Sequence, residues 1–135
     1  MNPGSLSVEY NDQLFREIID EFDAERSLKN CKRALQVIKR AIDLKPTYFM
    51  VYYKLALLYK QMGDNVRLMN ALQTAIWYCS TSEDKNSLEN VYWMNILRGF
   101  QGTCNKNHAE AEVYYKNAIA IYPNRMEAYF RHALS

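Results

Sequence analysis

Hydrophobic residues recur every three to four positions from Leu14 onward, which is the spacing of an α-helix with one buried side. The first such stripe is Leu14, Phe15, Ile18, Ile19 and Phe22. Followed along the chain, the pattern predicts helices at about residues 8–26, 29–44, 48–62, 65–79, 82–100, 107–121 and 125–135. Pro46, Gly63 and Pro123 support three of the helix ends, because proline and a left-handed glycine stop a helix.

The stretch CSTSEDKNS, residues 79–87, is where the fifth helix is predicted to begin. Ser82 is suited to cap this helix, and Glu83 and Asp84 would lie in its first turn, near the positive end of the helix dipole. Such an early start would make the helix overhang its neighbours. The segment GTCNKN, residues 102–107, is predicted to end it.

One hexapeptide recurs along the chain and indicates an internal repeat. It reads AIDLKP at residues 41–46 and AIAIYP at residues 118–123, and a weaker copy, AIWYCS, lies at residues 75–80. The copies are 34 and then 43 residues apart, so the period is 34 with one insertion of nine residues. Ser80 replaces the proline in the middle copy, and the array is therefore expected to depart from regularity at this junction.

Residues 49–80 resemble the tetratricopeptide repeat (TPR) family, in which a helix with the signature W-x₂-L-G-x₂-Y precedes a helix with spaced alanines and a final proline. The places of the signature are taken by Tyr52, Leu55, Ala56 and Tyr59. The preceding repeat matches at Ala34, Ala41 and Pro46. The following repeat matches at Trp93, Ala111, Tyr115, Ala118 and Pro123, although Trp93 and Pro123 are two residues farther apart than the family spacing.

The resemblance implies an all-α fold, a right-handed superhelix (α-solenoid) of antiparallel helix-turn-helix hairpins with about seven helices. One TPR domain is expected, with repeats at residues 8–46, 48–80 and 83–123 and a terminal helix at 125–135. Residues 1–7 are expected to be a flexible N-terminus or a cloning remnant. Because the last helix ends within a repeat, the chain is expected to be a fragment of a longer array.

The resemblance also implies where function should be sought, because the first helix of each TPR lines a concave groove. With Tyr52, Leu55, Ala56 and Tyr59 in the core of helix three, and Trp93, Ile96, Leu97 and Phe100 in that of helix five, neighbouring stripes should face this groove. The candidate groove residues are Met50, Tyr53, Lys54, Leu57, Lys60, Met94, Asn95, Arg98, Gln101, Phe130 and Arg131, with Leu134 beyond them. Their apolar groups would supply contact area, and Lys54, Arg98 and Arg131 would bond acidic residues of a peptide. Ordinary packing is an equally open alternative for Tyr53, Leu57 and Phe130.

The composition supports one buried core made of helices, since 49% of the 135 residues are hydrophobic and only four are glycine and three proline. The charge is unevenly distributed, because residues 1–26 contain seven acidic and two basic residues while the remainder is basic. Lys29, Arg33 and Arg40 lie along one side of the second helix, a weak signal for nucleic acid. A solvated face, or pairing with the acidic first helix, is favoured because no aromatic residues interleave, and no nucleic-acid partner is expected.

The chain offers no arrangement typical of catalysis or metal binding. His108 and His132 lack nucleophilic partners, and Cys31, Cys79 and Cys104 lie far apart in the sequence, so no catalytic residue, metal or cofactor is expected. The absence of a leader and of a long apolar run favours a cytoplasmic protein away from the membrane. The sequence therefore predicts a non-enzymatic protein-interaction module, a scaffold or adaptor. The alternative is a structural segment of a larger solenoid or of a self-associating assembly.

Overall fold

In residues 3–133, which the computed structural model describes, the chain forms α-helices joined by short turns. Its helices are α1 (Pro3–Ser27), α2 (Cys31–Leu44), α3 (Phe49–Met62), α4 (Asn65–Thr81), α5 (Leu88–Cys104), α6 (His108–Ile121) and α7 (Met126–Ala133). Residues 3–133 contain no strand, and the predicted all-α class is confirmed. The bounds of α2, α3 and α6 lie within two residues of those predicted.

The first helix begins earlier than its hydrophobic stripe indicates. Residues 3–7 belong to α1, and residues 1–2 lie outside the described part of the chain. The flexibility of this terminus stays a prediction. A proline is tolerated in the first turn of a helix, where its missing N–H has no partner to lose. Pro3 is therefore compatible with the observed start.

The chain divides into two compact units, one ending at Leu68 and the other beginning at Met69. The first unit contains the antiparallel pair α1 and α2, followed by α3. Its hydrophobic core consists of Phe15, Ile18, Phe22, Ala34, Val37, Ile38, Ala41, Val51 and Leu58. Burying each large side chain of this kind contributes about 1.5–3 kcal/mol. The alanines keep the helices close, because they leave room for the aromatic and branched side chains.

The turn between α2 and α3 is repeated between α6 and α7. In the first turn the Tyr52 hydroxyl donates to the carbonyl of Pro46. In the second turn the Tyr129 hydroxyl donates to the carbonyl of Pro123 at 3.0 Å. We call this contact the tyrosine clasp. It recurs at an offset of 77 residues, so the internal repeat predicted from the hexapeptides is also visible in local hydrogen bonding.

In the second unit, α5 and α6 form an antiparallel hairpin whose closest approach depends on two glycines. A Cβ atom placed on Gly99 would lie 2.6 Å from the Tyr115 ring, and one placed on Gly102 would lie 3.1 Å from Ala111. Because the later glycine meets the earlier α6 residue, the two helices run in opposite directions. The last helix, α7, packs against both α5 and α6.

The glycine contacts define the register of the third repeat. Gly99 precedes Ala118 by 19 residues, just as Ala56 precedes Ala75. At this offset of 43 residues, Asn95 rather than Trp93 corresponds to Tyr52, and the register predicted for helix five is two residues out. Burial supports this register, since Ile96 and Phe100 are buried like Tyr53 and Leu57, which lie 43 residues earlier. The shift also accounts for the excess length between the tryptophan and the closing proline.

The fifth helix begins at Leu88, and the prediction of a start at Ser82 is wrong. The Ser87 hydroxyl oxygen caps α5 by accepting from the Asn90 N–H at 3.2 Å, whereas the Ser82 hydroxyl accepts from the Asp84 N–H within a turn. Residues 83–87 contain no hydrophobic side chain, so a helix there would have had nothing to bury. When α3 and α5 are aligned at the 43-residue offset, α5 begins four residues before the position that corresponds to the start of α3. The fifth helix is therefore longer by one turn at its start, as the sequence indicated.

The end of α5 also differs from the prediction. The helix continues through Gly102 to Cys104, because the packing of Gly102 against α6 compensates for the low helix propensity of glycine. The chain turns only at residues 105–107, where Lys106 has a positive φ of 59°. The Asn107 side chain then caps α6 by accepting from the Glu110 N–H.

Candidate functional site

Two of the predicted groove residues on α3 are buried. Tyr53 and Leu57 expose only 1% and 5% of their surface, so the packing alternative describes them and they offer no open contact area. Met50 and Lys54 are half-buried, and Lys60 is exposed. The open part of the α3 stripe is therefore smaller and more polar than the sequence indicated.

The Lys54 ammonium is already occupied within its own unit. Its Nζ lies 3.1 Å from Asp23 Oδ1 and 3.3 Å from Oδ2. Most of the Lys54 side chain is covered, whereas the carboxylate is more exposed. An incoming acidic residue would have to compete with Asp23 for this cation.

The predicted residues on α5 occupy a different face from those on α3. At the 43-residue offset, Met94, Asn95, Arg98 and Gln101 correspond to residues that pack on the core of the first unit. Their place on α5 is beside α4, where Met94 and Asn95 line a pocket of about 240 Å³. We call this the α4–α5 pocket, and its other lining residues are Cys79, Ser80, Lys85, Asn86, Asn90 and Val91. The pocket forms at the nine-residue insertion.

The α4–α5 pocket combines amide, cationic and apolar groups. Asn95 Nδ2 donates to the Val91 carbonyl at 2.8 Å, and Asn90 Nδ2 donates to the Ser82 hydroxyl at 3.4 Å. The Cys79 thiol lies against the Asn90 carbonyl, with 3.6 Å between sulfur and oxygen. Burial raises the pKa of Cys79 to about 11, so the thiol is protonated near neutral pH and is a poor nucleophile.

Arg98 is one helical turn beyond Met94 and Asn95 on the same side of α5. It is half-buried and makes no ion pair or hydrogen bond with the described side chains, those of residues 8–133. Gln101, the last of the predicted α5 residues, is also half-buried. Arg98 thus differs from Lys54 in having no carboxylate partner among the described residues.

The predicted residues on α7 have opposite environments. Phe130 is 59% exposed. Arg131 is largely covered, with its guanidinium carbon 5.7 Å from the centre of the Phe100 ring and its Nε 3.7 Å from a Glu127 oxygen. Leu134 lies outside the described residues. The structure therefore brings Arg131 onto α5 and leaves Phe130 open.

The basic side of α2 is paired with the acidic first helix. Glu21 accepts from Arg33 at 2.8 Å and from Arg40 at 3.3 Å. Lys45 donates to Asp12 at 2.9 Å, and this hydrogen bond holds the pKa of the Asp12 carboxyl below its usual value. The pairing alternative predicted from the sequence is confirmed for both arginines.

A cluster around Glu89 was missed by the sequence reasoning. Arg125 donates to both Glu89 oxygens at 2.7 and 2.8 Å, and Trp93 Nε1 donates to one of them at 3.1 Å. The Arg125 guanidinium also stacks on the Tyr122 ring at 4.1 Å. These contacts hold the first turn of α5 to the turn before α7, and the Arg125 hydrogen bonds lower the pKa of Glu89. Spacing rules apply within one helix, so they cannot reveal a contact between segments that are distant in the sequence.

The described residues do not form a site for a metal or a membrane span. No group of three His, Cys, Asp or Glu side chains within residues 3–133 is arranged to hold a metal ion. His132 stacks on the Tyr115 ring at 5.7 Å, which is a packing role. Within the same residues, every helix is too short or too polar to cross a bilayer.

A family model described as TPR repeat matches residues 23–63, from the end of α1 through α3. With the hairpins and the repeated turns described above, this match over residues 23–63 is consistent with the resemblance to the tetratricopeptide repeat family. Proteins of this family generally mediate protein–protein interactions and are typically not enzymes. Comparison with curated proteins finds no match to this chain.

Proposed function

We propose that this chain is a non-enzymatic scaffold or adaptor of the cytoplasm that binds a segment of a partner protein through the first helices of its repeats. Of the predicted binding residues, those at least partly exposed are Met50, Lys54, Lys60, Met94, Asn95, Arg98, Gln101 and Phe130, although Lys54 pairs with Asp23. Among them, the α4–α5 pocket with Arg98 at its side is the contact for an acidic residue of the partner. The guanidinium of Arg98, which has no carboxylate partner among the described residues, carries this proposal.

Partial burial removes some of the water around the Arg98 guanidinium, and no described carboxylate compensates for this loss. A carboxylate of a partner would supply charge-assisted hydrogen bonds to it, while Met94 and Asn95 contact neighbouring atoms of the same segment. Lys54 and Arg131 are less available, because Asp23 and Glu127 lie beside them. The expected ligand is therefore an acidic residue flanked by apolar ones.

The test is selection of peptides from a displayed random library on the intact protein, followed by affinity measurement on the enriched sequences. They should contain Asp or Glu beside hydrophobic residues. Replacing Arg98 by Glu should weaken their binding about ten-fold or more, because a hydrogen bond to a charged group is worth about 1.5–3 kcal/mol. Lys39→Glu, on the exposed side of α2, is the matched control and should leave binding unchanged.

Peptides without acidic residues, or equal losses in the Arg98 and Lys39 variants, would show that the α4–α5 pocket is not the contact. Self-association is the second candidate function, because the apolar face of α7 is exposed. Light scattering over a range of protein concentrations separates the two. A stable dimer that excludes peptide would favour self-association over partner binding.

A further inference from the structure

The connections α2–α3 and α6–α7 have the same length and a similar backbone geometry. Each contains four residues, 45–48 in the first case and 122–125 in the second. In each connection, the N–H of the last residue donates to the carbonyl of the first at 3.2 Å. The first residue has nearly the same conformation in both, with φ values of −135° and −132°. The hydrogen bond brings the first and last residues of each connection close together.

In the first unit, the ends of the connection are a cation followed by a ring. The Lys45 ammonium lies 5.7 Å from the centre of the Tyr48 ring. On α1, Phe15 supplies a second ring at 4.8 Å from this ammonium, and Asp12 supplies a carboxylate oxygen at 2.9 Å. A cation within about 6 Å of a ring centre is attracted to the ring, and the carboxylate adds a charge-assisted hydrogen bond. One cation therefore joins the connection to α1.

In the second unit, the same two places are a ring followed by a cation. The Arg125 guanidinium carbon lies 4.1 Å from the centre of the Tyr122 ring. On α5, Tyr92 supplies a second ring at 5.1 Å from this carbon, and Glu89 accepts hydrogen bonds of 2.7 and 2.8 Å. One cation again joins the connection to the first helix of the hairpin, which is here α5.

The internal repeat relates the two groups position by position. Each member of the second group follows a member of the first by 77 residues. The pairs are Asp12 and Glu89, Phe15 and Tyr92, Lys45 and Tyr122, and Tyr48 and Arg125. The carboxylate and the first ring keep their places, whereas the cation and the second ring have exchanged theirs. A change at only one of these two places would have given two cations or two rings.

The middle repeat has a different set of residues at these positions. At the 34-residue offset they are Pro46, Phe49, Cys79 and Ser82, which include neither a carboxylate nor a cation. The connection after α4 also differs, because it contains the six residues 82–87. The group of two rings, one cation and one carboxylate therefore occurs together with the four-residue connection.

We infer that these four positions form an exchangeable lock, in which one cation at either end of the connection holds it to the first helix of the hairpin. The lock fixes the direction in which the next helix leaves, α3 in the first unit and α7 in the second. It requires one cation and one ring at the ends of the connection, in either order. None of its positions is among the proposed binding residues.

The test is a double-mutant cycle in the intact protein at the two ends of the second connection. Arg125→Tyr leaves the carboxylate without its cation, and Tyr122→Lys places two cations beside one carboxylate. The double variant Tyr122→Lys/Arg125→Tyr has the order of the first unit. Hydrogen exchange at the amides of residues 122–128, followed by mass spectrometry, measures how often the connection opens.

Both single variants should exchange faster than the wild type, and the double variant should not. Arg125→Tyr should accelerate exchange about ten-fold, because an ion pair and a cation–π contact are lost together. Tyr122→Lys should also accelerate it, because a ring is lost and the two cations repel each other. The double variant should return to within about three-fold of the wild-type rate. Lys116→Tyr is the matched control and should change nothing, because Lys116 pairs with Glu112 within α6 alone.

Additive effects of the two changes in the double variant would overturn the inference, since the two places would then act independently. An unchanged exchange rate in Arg125→Tyr would show that the cation does not hold the connection. If Arg125→Tyr unfolds the protein, the midpoint of thermal unfolding replaces the exchange rate, and the double variant should exceed both single variants. A failed selection of acidic peptides would leave each of these outcomes unaffected.

Discussion

Gly99 contacts the Tyr115 ring. Whether Gly99→Ala raises or lowers the free energy of unfolding should therefore depend on this one neighbour. In Gly99→Ala, the new Cβ atom would lie 2.6–2.8 Å from three atoms of the Tyr115 ring, well inside ordinary van der Waals contact. Tyr115 is only 1% exposed and has little room to withdraw. The change therefore places one carbon into a filled core, although it leaves the helix backbone conformation allowed.

Two opposing effects determine how Gly99→Ala changes the free energy of unfolding. Alanine is favoured over glycine within a helix by about 0.8–1.0 kcal/mol. Overpacking a core by one carbon costs about 1–3 kcal/mol. We expect the second effect to prevail and the variant to lose about 1 kcal/mol. In Gly102→Ala, the new Cβ atom would lie 3.1 Å from Ala111. The steric penalty is smaller there, and we expect it to nearly offset the gain in helix propensity.

Urea unfolding followed by circular dichroism measures these differences. In a Tyr115→Leu background the ring is absent, and Gly99→Ala should then stabilise the protein by up to about 1 kcal/mol. Tyr115→Phe is the matched control, because it retains the three contacting ring atoms and should retain the loss. Stabilisation by Gly99→Ala in the wild-type background, or the same sign in both backgrounds, would refute the packing argument.

Three further predictions concern the second unit. Ser87→Ala should lower the free energy of unfolding by about 1 kcal/mol in urea titrations, because it removes the cap of α5, and Ser87→Asp should restore it. Arg125 lowers the pKa of Glu89, so the ion pair contributes stability above the unfolded pKa near 4.5 that is lost as pH falls through the folded value. The effect is a fraction of about 1 kcal/mol for this half-exposed pair, and Arg125→Met should flatten the decline of thermal stability between neutral and acid pH. Alkylation mapped by mass spectrometry should modify Cys79 far more slowly than Cys31 at pH 8 in the folded protein, because its pKa is about 11. Equal rates at the two cysteines would contradict its burial.

Helix positions could be predicted where a local signal decides them. Pro46 and Gly63 end α2 and α3 near the expected residues, because both act through their own backbone geometry. The start of α5 was missed because Ser82 and Ser87 are each followed by acidic residues. The choice between them depends on the hydrophobic residues after Ser87 that α5 packs against its neighbours, which a capping rule does not count.

The candidate site was harder to predict, because exposure depends on neighbouring helices. Tyr53 and Leu57 are spaced like surface residues relative to the assumed stripe, yet both are buried. The α5 residues were assigned by placing Trp93 at the tryptophan position of the family signature. Trp93 has the expected side chain, but it lies two residues before that position. The 19-residue spacing from Gly99 to Ala118 was present in the sequence and would have corrected this assignment.

The tyrosine clasp also has a use in protein engineering. It requires only a proline carbonyl and a tyrosine six residues later, and both partners lie within a single short connection. It could therefore be transplanted as a two-residue device for joining consecutive helical hairpins in designed arrays. After α4 the chain has Ser80 in place of the proline, and the residue six positions later is Asn86 rather than tyrosine. There the connection is longer and lines a pocket.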